Sequence, residues 1–594
     1  MKRRFPFVAL LLTAAVCSLW SASADPKPVP AKPAAKNSAK AAKKAARSNA
    51  RKNAKPTKDP AKPSAKPAPA KPAPAKPVPV PHPGAELDKV LLKTWKDAGL
   101  TPVPKVSDAV FLRRVTLDLA GRIPTVGEVR SFLADRSPDK RIRLIDRLLA
   151  SPDCERMLAM RFSDLLRIKS EFPINLWPNA VQCYHHYLVE MIRRDRPWPE
   201  VTRELLTANG SNFRIAPANF FRAAADRSPE GLGAVTALTF LGMRTSEWSE
   251  GDREKFACFF GRIRFKSTDE WKEEIVFNDP EAVCFTARTP DGSSFDIDTA
   301  AQDPRAVFAD WLLAEANPFF ARATVNRLWY WVFGRGIIDP ADGLVPPPGF
   351  WAKLFGADPG PQPVAPEVLA CLEAEFRRNG GRLKPLLRMI CDSAAYQADW
   401  KTRPEEQERA TRLFAVYPVR RLEAEVAIDA VFAVTGDHER YQSVIPEPFT
   451  YLPWGTPAVA IADGSISSGN LDSFGRPPRD SGLFSERNNA ISAKQRLWLM
   501  NSGMLYRGFN RAVNEAQRRA AYFEKNVLRD RGPGMWKKDP VQLIYLHVLS
   551  RPPSAAEREI FRKYMAAKPR RQQYSAYGEL VWALVNTKEF LYHH

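Results

Sequence analysis

Seven histidines, at positions 82, 185, 186, 438, 547, 593 and 594, are the side chains through which acid–base catalysis near neutral pH or transition-metal binding would most simply run. Only Cys183-Tyr184-His185-His186-Tyr187 gathers them locally. Adjacent residues on a helix project about 100° apart, so His185 and His186 are poorly placed to share one metal. Aromatic packing is the expectation there. No H-E-x-x-H, G-x-S-x-G, phosphate-binding loop or G-x-G-x-x-G is present. Cys154, Cys183, Cys258, Cys284, Cys371 and Cys391 form no C-x-x-C pair, which argues against a zinc knuckle, a thioredoxin-like redox pair and a haem attachment site. Free buried thiols with one or two bridges are expected, and no metal or cofactor.

Two other segments are chemically dense. Asn317 to Trp329 places Arg322, Asn326 and Trp329 at i, i+4 and i+7 of one helix, so one face carries a cation, an amide and an indole. Such a face builds either a polar pocket or a buried Arg/Asn network that holds helices together. In Arg420-Arg421-Leu422-Glu423-Ala424-Glu425, Arg421 and Glu425 read as an ordinary i, i+4 pair in its weaker orientation.

The elements that must position these residues are mainly α-helical. Leu87, Val90, Leu91 and Trp95 share one helical face, and a second helix runs to a stop at Gly121 to Pro124. Ser137-Pro138 and Ser151-Pro152 signal helix starts, because proline tolerates the first turn. Helical patterning covers 85–262 as a first domain and resumes over 301–594 as a second. Between them 263–300 is β-rich, reading as a small hairpin or two-strand insertion. Residues 437–482, rich in Pro, Gly and Ser, read as a long irregular loop within the second domain.

The amino-terminal segment differs in kind. Lys2-Arg3-Arg4, an apolar run from Phe7 to Trp20 and Ala22-Ser23-Ala24 have the order of a secretory signal over 1–24. Val16 before Cys17 argues against lipidation, and retention as an anchor stays open. Residues 25–84 are Lys, Pro and Ala with almost no large apolar side chain, and are expected to stay disordered as a tether. The tether is either a solvated spacer or an electrostatic attachment to an anionic envelope polymer or lipid headgroups. Of the formal charge of +23, the tether carries +13 and the signal +3, which leaves +7 on 85–594. No nucleic-acid partner is expected from so small an excess; a protein partner in the envelope is.

With these segments in view, the sequence resembles a family of exported bacterial proteins built from two adjacent domains of unknown function, planctomycete-type and often found beside a cytochrome c domain. Phe111 to Arg114, Leu117-Asp118-Leu119-Ala120-Gly121-Arg122-Ile123-Pro124-Thr125 and Asp146 to Pro152 are similar to its first domain. Asn317 to Trp329, Phe333-Gly334-Arg335-Gly336, Leu386 to Gln397 and Arg420 to Glu425 are similar to its second. The resemblance implies a Cys-x-x-Cys-His motif after Met243 and a C-x-C-E-R segment near 485. This chain instead has Arg244-Thr245-Ser246-Glu247 and Leu483-Phe484-Ser485-Glu486-Arg487, retaining only the final Glu and Arg. The joint loss implies that the sulfur motifs act together in relatives, at a metal, haem or disulfide site this chain lacks.

The expectation is therefore an exported, periplasmic or cell-surface protein, non-catalytic, that binds or scaffolds at the envelope. The rival is an enzyme acting on polysaccharide or another polymer through a pocket of Arg322, Asn326, Trp329, Arg421, Glu425, Glu486 and Arg487, or a haem-less relative of an electron-transfer component. Convergence of those residues on one open cleft favours the enzyme; closed salt bridges favour the scaffold.

Overall fold

The helical periodicities emerge as helices whose apolar stripes are buried. In Ala85–Asp97 the side chains of Leu87, Leu91 and Trp95 are almost fully covered. Ser151 caps Pro152–Leu165 by accepting from the Cys154 N–H, as its Ser-Pro start predicts. The Ser137-Pro138 start is displaced: the helix runs Lys140–Leu149 with Asp139 at its N-cap. The computed structural model describes residues 82–281, 286–297, 302–346, 360–518 and 538–594. The signal, nearly all of the tether and Cys17 lie outside the described residues.

Among the described residues the chain is predominantly helical, with three small antiparallel sheets. Ile263–Ser267 and Glu274–Asn278 form a hairpin. Gly210–Ser211 joins its free edge from the preceding helical segment. Thr286–Arg288 pairs separately with Ser294–Asp296. The third sheet joins Arg420–Arg421 to Tyr592–His593 across more than 170 residues. A long-range ladder of this kind leaves no local pattern. Residues 437–482 are mostly irregular, broken by short helical turns at Ala458–Ala460 and Gly469–Ser473 and tied by a Gln442–Ser467 bridge.

One large core packs helices of the first helical segment against Pro304–Leu313, Pro318–Phe333, Pro366–Arg378 and Leu383–Asp392. A second core gathers Ala424–Thr435, Gly503–Arg518, Pro540–Leu549 and Ser575–Val585, and it also takes in Leu117, Ile123, Met157 and Met160 from the first segment. Those four residues bring the stretch from Asp118 to Thr125 against Arg420 to Thr435. His82, at the tether's end, donates its Nδ1–H to Asp392 at 2.7 Å, and the Gly84 N–H donates to the same carboxylate. Cys258 is disulfide-bonded; Cys154, Cys183, Cys371 and Cys391 are free thiols.

Candidate functional site

Of the residues predicted to form one polar pocket, Arg421, Glu425 and Arg487 come together, whereas Arg322, Asn326, Trp329 and Glu486 are engaged elsewhere. Arg322, half-exposed, pairs with Glu373 at 3.0 Å. Asn326 is buried, donating to the Ile338 carbonyl at 2.8 Å and accepting from its N–H at 2.9 Å. Trp329 is fully buried and stacks on Phe333 with ring centroids 4.2 Å apart. These three therefore fasten Pro318–Phe333 to its surroundings. Glu486 accepts from the N–H and hydroxyl of Ser481, closing its own loop.

Arg421 and Glu425 are not a helical pair, because the helix begins at Ala424 and Arg421 lies in the preceding strand. The Arg421 guanidinium donates to the carbonyls of Phe474, Asn488 and Asn489. Glu425 meets Arg487 at 2.6 Å and Arg476 at 3.5 Å. Arg487 also reaches Asp164 at 2.6 Å, and Arg479 reaches the same carboxylate at 2.8 Å. Burial would raise the Glu425 carboxyl, but Arg487 and Arg476 overcome it and hold the group near 2.

A second closed network, missed in the sequence, lies beside this one. Glu423 accepts from Arg161 at 2.5 Å and from Arg420 at 2.9 Å. Arg420 also pairs with Asp118. His593 stands 3.2 Å from Asp118 and 3.6 Å from Glu423, and the Tyr396 hydroxyl donates to Asp118 at 2.6 Å. All of these side chains are buried except Arg420, which is 11% exposed. Burial opposes the Glu423 charge, yet Arg161 and Arg420 hold its carboxyl well below the ordinary range. Burial and the charge of Arg420 lower the His593 imidazole. The charges thus belong to ion pairs that join helices Asp108–Ala120 and Pro152–Leu165 to the Arg420–Glu425 segment.

The two stretches that depart from the resembled family also meet. Arg244 pairs with Asp342 at 2.6 Å, and the other Asp342 oxygen accepts from the Phe484 N–H at 3.0 Å. One carboxylate thus holds together the segments following Met243 and preceding Glu486. Arg244, Asp342, Phe484 and Ser485 offer neither thiolate nor imidazole, so they do not fit a haem or transition-metal centre. Among the described residues no group of three His, Cys, Asp or Glu side chains could hold a metal ion.

An open cleft of about 280 Å³ lies where Gly121 to Thr125 faces Ala424–Thr435. Gly121 ends Asp108–Ala120 in the left-handed region at φ 63°, where a side chain would be strained and would press on Met157 and Val459. Thr125 and Glu128 then form a capping box that starts the next helix. Arg122 at the rim is held by Glu128 at 2.8 Å and Asp153 at 2.7 Å. From the other side come Asp429, half-buried, and the loop residues His438, Glu439 and Tyr441, with His547 of Pro540–Leu549.

Asp429 accepts from the Ala458 and Val459 N–H groups at 2.7 and 3.1 Å. Burial nevertheless dominates, and with the charges of Glu425 and Glu439 it pushes the Asp429 carboxyl up to about 7. Burial also raises Glu439, against hydrogen bonds from Ser468 and from Asn470, which donates to Oε1 at 2.5 Å. His547 is 8% exposed, and the backbone of Ala433 and Val434 hydrogen-bonds its ring. Burial lowers it to about 4, against a small opposing pull from the Ala433 and Val434 backbone. A proton donor or acceptor titrating near neutrality, a second carboxylate and a neutral imidazole therefore line one cavity.

Sequence reasoning passed over Asp429. Its signal was a lone carboxylate inside the apolar run Val426 to Val434, one turn after Glu425. A charge at that register costs free energy unless something is gained from it.

Residues 86–246 match a family described as PSCyt2, protein of unknown function (DUF1549), and residues 304–565 match PSD1, protein of unknown function (DUF1553). The comparison with curated proteins found no match, and neither did that with solved structures. Asp118 and Gly121 to Thr125 fall within the first match, and Arg420 to Asp429 within the second, so the buried network and the cleft are both built where the two domains touch. With both domains present in amino- to carboxy-terminal order, the chain belongs to the two-domain, planctomycete cytochrome-associated family.

Proposed function

We propose that the chain is an exported, non-catalytic binding protein of the cell envelope, in which two welded helical domains hold a ligand in the cleft beside Asp429. The observation that carries this reading is the contrast in charge use. The residues expected to line a polar pocket are spent on closed pairs and backbone carbonyls, whereas Asp429 and Glu439, which have no ion pair among the described residues, line an open cavity. Export is supported by the order of charged, apolar and small residues over 1–24 and by the bridged Cys258, since disulfides persist in oxidising compartments. The basic residues 25–84 would add attachment to anionic envelope polymer or lipid headgroups, and the modest charge of the body supports no role in nucleic-acid binding.

Fractionation of cells producing the tagged chain, followed by pull-down from envelope extracts with and without residues 25–84, tests the reading. Recovery in the cytoplasm with the amino terminus uncleaved would sink export; unchanged retention without the tether would leave it a spacer.

A second reading, an enzyme acting on polysaccharide or another polymer, is favoured by one feature of the cleft: burial pushes the Asp429 carboxyl up to about 7, the range a general acid or base needs. Turnover of envelope polymer by the purified chain, abolished in Asp429→Asn, would establish it.

A further inference from the structure

We propose that a platform of aromatic rings, built by Trp177, Trp271 and Phe449, binds a neutral polysaccharide by stacking against the apolar faces of its sugars. The platform is separate from the cleft beside Asp429 and needs no ligand there.

The three rings come from segments far apart in the sequence. Trp177 opens the helix Trp177–Arg193. Trp271 lies in the turn of the hairpin between Ile263–Ser267 and Glu274–Asn278, and Phe449 belongs to the long irregular loop. The ring centroids of Trp177 and Trp271 stand 4.4 Å apart, with 69° between their planes, and those of Trp177 and Phe449 stand 5.7 Å apart, with 52°. Trp177 is the half-buried centre, whereas Trp271 is 66% exposed and Phe449 49%. Phe172, in the loop that leads to Trp177, is 79% exposed. A contiguous patch of such large rings facing solvent marks an interaction surface.

The backbone beneath the rings is an independent pointer to use. Trp177 at φ 69°, Lys272 at φ 65° and Asn175 at φ 55° all lie in the left-handed region, which a residue as bulky as tryptophan avoids. Such conformations persist only where the surroundings over-determine them, and they cluster at binding sites. Here the buried Arg222 guanidinium donates to the Ile174 and Asn175 carbonyls at 3.1 and 2.7 Å and pairs with Glu274, the first residue of the second hairpin strand. One cation thus ties the Trp177 loop to the Trp271 hairpin. The irregular loop is fastened to the same place, because the Ser443 hydroxyl donates to Glu171 at 2.8 Å and Ser465 Oγ accepts from the Glu171 N–H at 3.0 Å. The rings are therefore in position before a partner arrives, which lowers the cost of binding.

The charges around the rings select the occupant. Carboxylates flank the exposed rings in sequence: Glu171 beside Phe172, Asp269 and Glu270 ahead of Trp271, Glu447 ahead of Phe449. An anionic lipid surface or anionic polymer meets like charge there. A cationic partner finds positions already taken, since the Lys272 ammonium stands 5.8 Å from the Trp271 ring centroid and Arg214 pairs with Glu270 at 3.3 Å. A neutral sugar meets neither obstacle. Its weakly positive C–H groups suit the negative faces of the rings, and its hydroxyls can donate to the flanking carboxylates and bond the exposed Asn175 amide. Three rings in mutual contact suit an extended chain of sugars better than a single one.

Isothermal titration of the full mature chain with cellohexaose, xylohexaose and chitohexaose tests the proposal, beside glucose, polygalacturonate, phosphatidylglycerol vesicles and a Lys-Pro-Ala repeat peptide. Saturable binding of at least one hexasaccharide, and none of glucose, is expected. Trp271→Ala and Phe449→Ala should each weaken that binding about tenfold, the scale of losing one aromatic contact, and both variants should melt as the wild type does because the side chains are exposed. Trp271→Tyr keeps a ring and should retain most of the affinity, which separates lost stacking from lost folding. The proposal is overturned if no hexasaccharide binds, or if binding survives Trp271→Ala and Phe449→Ala combined. It is equally overturned if vesicles, polygalacturonate or the peptide bind in a manner that Trp271→Ala abolishes, since attraction through residues 25–84 would be untouched by that change. None of the three rings lines the cleft, so failure here leaves the reading of the cleft to its own test.

Discussion

The buried network around Asp118 and Glu423 and the cleft around Asp429 are built from the same two segments, yet they treat charge oppositely. In the network each carboxylate meets an arginine, and the proton affinity of Glu423 falls well below its ordinary value. Six residues further along, Asp429 has backbone donors but no cation, and its proton affinity rises to about 7. Desolvation acts on both; the presence of an opposite charge within reach decides the sign. The closed region joins the first matched segment to the second, and the open region lines a cleft.

The largest effect should come from breaking the closed region. Glu423→Ala leaves Arg161 and Arg420 buried without their shared partner, and should cost about 3–5 kcal/mol in urea unfolding. Glu439→Ala in the open region should stay within about 1 kcal/mol, having no ion pair to break. Similar losses in the two variants would erase the distinction.

Acid should separate the regions next. The Glu425 carboxyl is depressed to about 2 from an unfolded value near 4.3, so its stabilisation, about 3 kcal/mol, is complete above pH 4.3 and disappears as pH falls toward 2. Arg487→Met should abolish that acid limb in a denaturation series from pH 5 to 2. A limb that persists unchanged would assign it to other carboxylates.

Asp429 predicts the reverse slope. Its folded value lies above the unfolded one, so folding favours the protonated form, and stability should fall as pH rises from about 4 to about 7. Asp429→Asn should flatten thermal unfolding over that window. The smallest effect is expected at Arg322→Ala: a half-exposed pair with Glu373 is worth about 0–1 kcal/mol, so melting should hardly move.

The helical class, the helix entered at Ser151-Pro152, the apolar face of Leu87, Leu91 and Trp95 and the two family domains were all legible in the chain, because periodicity, caps and long motifs are local properties. The candidate site was not. Arg421 and Glu425 stand four residues apart, but a helix starting at Ala424 separates their fates, and Arg421 lies instead in a strand that pairs with Tyr592–His593 far along the chain. Asp429 looked like an isolated charge on an apolar helix, and Glu439 and His547 lay in segments with no motif.

What the sequence by itself determined is where helices begin and end, which faces they bury, and that the amino-terminal 84 residues differ in composition from the body. Which charges are paired was decided only by the tertiary structure. Ion pairing inside a protein depends on a few ångströms between groups that the chain holds hundreds of residues apart, as Asp118 is from Arg420 and His593. The same folding that gave Glu423 two arginines left Asp429, Glu439 and His547 facing an open cleft.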